Sequence, residues 1–297
     1  MNNIKYIIKL IRPKHWIKNL FIFVSIIFSN NFFNFAILKN NILTFIAFCF
    51  ISSTVYVMND IVDVEKDKKH PEKCKRPIAS GKVSVSTAIL IGILLFIASL
   101  TIAFNVNISV FIIIIIYFID NVAYSFKLKN LVIIDVFSIA FGFILRVLAG
   151  SFATGVIASN WIILCTLFLS LFLGFSKRRN EIISLGKDAC NHRKNLSKYN
   201  TIFLDKIINI SLTCTIIFYS IYCVLGTNSN LFIWTSIFVI WATIRYYYLI
   251  YSKNKTENPT DLIVKDKQLM CLISSWGLCS IIILNLNNIL FIYNSIY

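Results

Sequence analysis

The sequence predicts an all-α polytopic membrane bundle of nine transmembrane helices, with its N-terminus in the cytoplasm. Three observations carry this expectation. The chain has 297 residues and is 58% hydrophobic against 14% charged. Its apolar runs are continuous, as in Val110–Phe118, where a β-barrel strand would alternate. Nine windows reach the roughly 20 apolar residues that a helix needs to cross about 30 Å of hydrocarbon.

In chain order the windows fall near residues 17–38, 41–59, 84–104, 106–125, 131–152, 159–176, 206–225, 231–250 and 269–289. The first follows a basic stretch, as in a signal peptide. It lacks a small-residue cleavage site, however, so it is expected to be retained. The connections leave no room for a separate soluble domain, and residues 1–297 are expected to form one transmembrane unit without internal repeats. The eight cysteines include no CxxC pair and read as small buried apolar residues.

Charge orients the bundle. Of 29 Lys and Arg, 26 lie in residues 1–18, 60–83, 126–130, 177–206 and 252–268, which alternate along a nine-helix chain and so share one side. The positive-inside rule makes that side cytoplasmic and places the protein in the inner (cell) membrane. The net charge of +16 is thereby explained without nucleic acid. It suits anionic lipid headgroups and phosphorylated substrates. A homo-oligomer is compatible with the pattern, and no motif specifies one.

One stretch departs from this basic face. NDIVDVEKDKKHPEKCKRP, Asn59–Pro77, holds five of the thirteen acidic residues directly after the second window. On a helix continuing from that window, Asp60, Asp63 and Asp67 stand within about 60–80° of one another, with Asn59 close beside Asp63 and Glu65 turned about 140° from Asp60. Three carboxylates on one face repel unless a cation lies among them. Mg²⁺ takes hard oxygen ligands and leaves positions for phosphate oxygens. The stretch therefore reads as a Mg²⁺–diphosphate site. The alternative is a solvated loop whose acids balance Lys66, Lys68, Lys69, Lys73, Lys75 and Arg76.

The pattern N-D-x-x-D-x-x-x-D at the end of the second helix resembles the first aspartate motif of the UbiA superfamily of intramembrane prenyltransferases. Four further stretches are similar to its decaprenyl-phosphate phosphoribosyltransferase branch: RPKHWIKN (Arg12–Asn19), HPEKCKRPIASG (His70–Gly81), YSFKLK (Tyr124–Lys129) followed by Asp135, and ENPTDLIVKDKQL (Glu257–Leu269). The resemblance covers nearly the whole chain. It implies a UbiA-like fold, Mg²⁺ as cofactor, and phosphoribosyl diphosphate and a polyprenyl phosphate as substrates, in the making of a cell-envelope glycan precursor. It also implies that Tyr124 and Lys127 hold the donor diphosphate, and Arg76 joins the candidate substrate-binding residues.

Polar stripes inside apolar windows extend the site. Tyr117, Asp120, Asn121 and Tyr124 recur at i, i+3, i+4, i+7 in the fourth window, so the stripe is expected to face a cavity or another helix. Asp135 and Arg146 lie about 16 Å apart along one face of the fifth, too far for a direct pair. Arg146 could bind a phosphate or pair with a carboxylate on a neighbouring helix. Lys18 and Asn19 enter the first window and could reach the same cavity. Lys129 could instead snorkel to lipid headgroups.

Most of the superfamily carries a second aspartate cluster between the sixth and seventh helices. Here that place reads GFSKRRNEI, with Lys177, Arg178 and Arg179 and only Glu181 acidic. Cations there suit a bare phosphate neutralised directly by side chains, which a polyprenyl phosphate or a sugar 5-phosphate provides. A positive-inside anchor is the simpler alternative. Lys177 and Glu181 share a helical face with Ser170 and Gly174, which favours them over Arg178 as ligand contacts. A phosphate nucleophile is already ionised near neutral pH, so this chemistry needs no catalytic histidine or cysteine. Two other functions compete: transfer of an isoprenoid to an aromatic acceptor, against which the missing second cluster speaks, and transport, which would place charges nearer mid-bilayer.

Overall fold

The structure is a computed structural model that describes residues 2–29, 32–69, 73–185, 195–227, 229–252 and 259–286. His70, Cys190, Glu257, Asn258 and the end of the last window, which belong to stretches read above, fall outside the described residues. The helices are α1 (Asn2–Ile11), α2 (Val24–Ile27), α3 (Phe35–Val62), α4 (Val64–Lys68), α5 (Val85–Val106), α6 (Ile108–Phe126), α7 (Ile134–Thr154) and α8 (Asn160–Leu185). They continue with α9 (Thr201–Leu225), α10 (Ser236–Ser252), α11 (Pro259–Lys265) and α12 (Lys267–Leu284).

Among the described residues, eight helices are long and apolar enough to cross a membrane, where the sequence offers nine windows. The difference lies in the first window. Pro13–Phe23 winds as a 3-10 helix, Val24–Ile27 as a single α-turn, and the chain then bends before α3. At about 2.0 Å per residue in the 3-10 part and 1.5 Å in the α-turn, this segment rises about 28 Å, close to the hydrocarbon thickness. Its far boundary moves because Asn34 caps α3, its side chain accepting from the N–H groups of Ala36 and Ile37. Residues 35–38 therefore belong to the second helix.

Two helices form the centre. The apolar windows of α3 and α7 are each 61% buried, against 17–39% in the other six. One core joins α3, α6 and α7 through Phe48, Ile51, Ile114 and Leu145. Another joins α7 to α8, α9 and α10 through Val136, Phe172, Leu204 and Tyr246. The 3-10 segment lies directly on α7: a Cβ added at Gly150 would fall 1.9 Å from the Ile22 carbonyl oxygen. Asn41 of α3 secures this contact by donating to the carbonyls of Ile22 and Gly150 at 3.5 and 3.4 Å.

Candidate active site

The acidic motif is not one uninterrupted helix. Asp63 leaves α-helical geometry at φ −94°, ψ 10°, dividing α3 from α4. Two bonds cross the break, from Asp63 N–H to the Asn59 carbonyl at 3.0 Å and from Asp67 N–H to the Asp63 carbonyl at 2.8 Å. Asp60 and Asp67 consequently turn to the same side. Arg76 joins them, its Nη1 lying 3.1 Å from Asp60 Oδ1 and 2.6 Å from Asp67 Oδ2. Arg12 Nη2 meets Asp60 Oδ1 at 2.5 Å. Asp63 is more open and faces Lys66 at 3.8 Å and Lys129 at 3.9 Å. Glu65 points outward to Lys68, which holds its carboxyl below the usual range.

Whether a divalent cation fits here is decided by the donors. Among the described residues no three His, Cys, Asp or Glu side chains close into a metal cage. Mg²⁺ does not require one, since one or two carboxylates with substrate phosphates and water complete its shell. Asp60 Oδ2 is buried without a hydrogen-bond partner, and Asp63 is partly open beside it in sequence. A buried carboxylate oxygen left unpaired is costly, and a hard cation would satisfy it. The residues fit the ion, with Arg12 and Arg76 supplying the countercharge in this state.

The second half of the site centres on α8. Arg178 is buried, its Nε 2.7 Å from Asp135 and its Nη1 2.8 Å from Glu181. Its Nη2 donates to the Tyr124 hydroxyl at 3.3 Å. Lys177 stands 3.9 Å from Glu181. Tyr199 donates to Asp135 at 2.6 Å and accepts the Ile133 N–H at 2.7 Å; burial and that carboxylate push its phenol up. Gly174 lets α8 close onto α7, because a Cβ there would meet Val136 Cγ1 at 2.5 Å.

The end of α6 and the turn after it lie between the two halves. Tyr124 touches Arg178, while Lys129 reaches Asp63. The polar stripe of α6 turns towards neighbouring helices along its length: Ser138 of α7 donates to Asp120 at 3.0 Å, and Arg146 Nη2 donates to the Tyr117 hydroxyl at 2.9 Å. Asn121 instead bonds its own helix, donating to the Tyr117 carbonyl at 2.8 Å. Asn59 and Lys18 are half-buried, and Lys127 is exposed at the end of α6.

Asp135 and Arg146 have separate partners, as their spacing requires. The partners of Arg146 are uncharged: Asn19 Oδ1 at 2.8 Å, the Gly142 carbonyl at 2.7 Å and Tyr117. Asn19 also donates to Cys49 Sγ and Ser52 Oγ, so it joins the 3-10 segment to α3 and α7. Three groups were not singled out from sequence. Arg12 stood inside a quoted motif, which was the available signal, 48 positions from the carboxylate it meets. Ser138 and Tyr199 gave none, because their contacts with Asp120 and Asp135 exist only once the helices pack.

The architecture is shared with a solved UbiA homologue from Archaeoglobus fulgidus, described as bound to DMAPP and Mg²⁺. The TM-score is 0.70 at 20% identity, over 93% of this chain and 99% of that one. A decaprenyl-phosphate phosphoribosyltransferase from Mycolicibacterium smegmatis is 29% identical over 289 residues, spanning 93% of this chain and 91% of that protein. The protein of the same name from Mycobacterium tuberculosis is 27% identical, spanning 93% of each. Residues 20–265 match the model of the UbiA prenyltransferase family. With the motif, the helical architecture and this match in agreement, the chain belongs to the UbiA prenyltransferase family.

Proposed function

We propose that the protein transfers a 5-phosphoribosyl group from phosphoribosyl diphosphate to a polyprenyl phosphate, at the cytoplasmic face of the inner membrane. The observation that carries this reading is the asymmetry of the two halves. Asp60, Asp63 and Asp67 cluster on α3–α4, whereas the end of α8 presents Lys177, Arg178 and Arg179 with Glu181 as its single carboxylate. One acidic half suits one metal-bound diphosphate, and an α8 end that lacks a second aspartate cluster suits a ligand with a bare phosphate, for which Arg178 would exchange Asp135 and Glu181 and Arg179 would exchange Asp205. The names of the two mycobacterial relatives give decaprenyl phosphate as the lipid and phosphoribosyl as the group transferred, which supports this reading.

In this reading Asp60, Asp63 and Asp67, with Asn59, hold Mg²⁺, which when bound neutralises the donor's diphosphate. Arg76 and Arg12 exchange their carboxylate partners for phosphate oxygens, and Tyr124 and Lys127 bind the leaving group. A lipid phosphate oxygen forms the new bond to the anomeric carbon as the bond to diphosphate breaks. That oxygen is already anionic, so no proton has to be removed. Catalysis rests on orientation of the two substrates and on fixed positive charge around the departing diphosphate.

The test is a detergent assay of the purified protein with labelled phosphoribosyl diphosphate, a polyprenyl phosphate and Mg²⁺, alongside Asp60→Asn and EDTA controls. A labelled lipid that disappears in both controls is the expected result. Absence of labelled lipid, with turnover of a prenyl diphosphate and an aromatic acid instead, would replace this reading by isoprenoid transfer.

A further inference from the structure

The face formed by α10 and α12 bears two shallow grooves away from the residues assigned to the proposed transfer. A groove of about 300 Å³ is lined by Trp241, Ile244, Arg245, Tyr248 and Gln268. A second groove of about 330 Å³ shares Trp241 and Ile244 and continues over Ile237 and Ile240 with apolar walls. Polarity therefore changes along α10, from a cation at Arg245 to a purely apolar trough at Ile237.

Arg245 lies about 10 Å inside the end of α10 at Ser252, a depth at which a charge in a membrane helix calls for a partner. Its own pairing is incomplete. Nη2 bonds Asp266 Oδ2 at 3.0 Å and the guanidinium lies 5.6 Å from the Tyr248 ring, but Nε is buried with no partner. Asp266 is also engaged elsewhere, since its Oδ1 caps α12 by accepting the Leu269 N–H at 2.9 Å. Exposed Lys265 and Lys267 flank it. Of these cations Arg245 lines the groove, together with Gln268. Trp241 and Tyr248 are both exposed beside them, where aromatic rings commonly sit at headgroup level.

We infer that this face binds an anionic phospholipid of the surrounding bilayer, its phosphate at Arg245 and Gln268 and an acyl chain along Ile244, Trp241, Ile240 and Ile237. Arg245, whose Nε has no partner among the described residues, favours an anionic over a zwitterionic headgroup. The trough runs away from the basic end of the bundle, as the tail of a lipid in that leaflet does. A free phosphate would leave it unfilled.

Trp241 makes the site observable. The full chain is reconstituted in phosphatidylcholine vesicles in which an equal fraction of lipid is brominated phosphatidylglycerol or brominated phosphatidylcholine, and tryptophan quenching is compared. The Trp241 contribution, taken as the difference from Trp241→Phe, is expected to be quenched at least twofold more by the anionic lipid. Arg245→Lys keeps the preference and Arg245→Gln abolishes it. Equal quenching by both lipids, a preference that survives in Trp241→Phe, or one that survives in Arg245→Gln would overturn the inference. So would recovery of fluorescence on adding a polyprenyl phosphate, which would assign the groove to the acceptor instead.

Discussion

Arg178 Nε on α8 lies 2.7 Å from Asp135 on α7, and neither side chain is more than 1% exposed. This pair fixes the ends of two helices on which the basic half of the site is built. Removing one partner of such a pair leaves a buried charge uncompensated, typically at about 3–5 kcal/mol, whereas replacing both by apolar groups is often nearly neutral. Glu181 remains beside Arg178, so Asp135→Asn is expected at the lower end, about 3 kcal/mol. Thermal unfolding in detergent micelles checks this. Asp135→Asn combined with Arg178→Met should lose less stability than the sum of the two single changes, and strict additivity would sink the pairing argument.

Tyr199 governs the backbone that presents Asp135. Ile133 adopts φ 71°, ψ −51°, and the Ile134 N–H bonds the Val132 carbonyl at 2.8 Å, which makes a γ-turn centred on a β-branched residue. The Tyr199 hydroxyl accepts the Ile133 N–H and donates to Asp135, so one group stabilises both the strained turn and the carboxylate. Tyr199→Phe strands both partners and is expected to cost about 1–3 kcal/mol. The sign with pH follows from the raised phenol. Its contribution is complete below the ordinary tyrosine value of about 10 and declines as pH rises above it. Unfolding measured from pH 8 to 11 should therefore show a shallower alkaline loss in Tyr199→Phe than in the native chain.

The sequence was most informative where chemistry is local. Long apolar runs locate the helices, and the i, i+3, i+7 spacing brings Asp60 and Asp67 to one side although the helix breaks at Asp63. The break itself was hidden, as was the contact of Arg76 with both carboxylates from beyond the turn. Similarly, the need of Asp135 and Arg146 for separate partners followed from helix geometry, but the partners did not. Asn19 is 127 positions from Arg146 and Tyr199 is 64 from Asp135, and only packing brings them into contact. The first window located an apolar segment of crossing length, but apolar content alone does not distinguish an α-helix from the 3-10 winding that Pro13–Phe23 adopts.

Gly150 tests that first segment. Its missing Cβ is what allows the Ile22 carbonyl to touch α7, and the clash in Gly150→Ala would be with backbone, which cannot rotate aside. Overpacking of this kind typically costs about 1–3 kcal/mol. The variant should also weaken the bonds from Asn41 to Ile22 and Gly150. The expected outcome is a lower unfolding temperature together with faster proteolysis near residues 24–34. An unchanged unfolding temperature would mean that the 3-10 segment does not depend on this contact.

Arg76 is the most revealing position in the acidic half, because it holds the two carboxylates that a metal would need. At 3.1 Å from Asp60 and 2.6 Å from Asp67, its guanidinium competes for the same two carboxylates. Arg76→Ala should therefore lower the Mg²⁺ concentration at half-maximal rate, by about tenfold if the competition is worth about 1.4 kcal/mol. The same change removes a donor for the diphosphate, so the maximal rate should fall by about tenfold or more. Arg76→Lys, which keeps the charge but loses the fork, is expected between the two. A Mg²⁺ titration of turnover separates the effects. If the half-maximal concentration instead rises in Arg76→Ala, the guanidinium organises the carboxylates for the ion and does not compete with it.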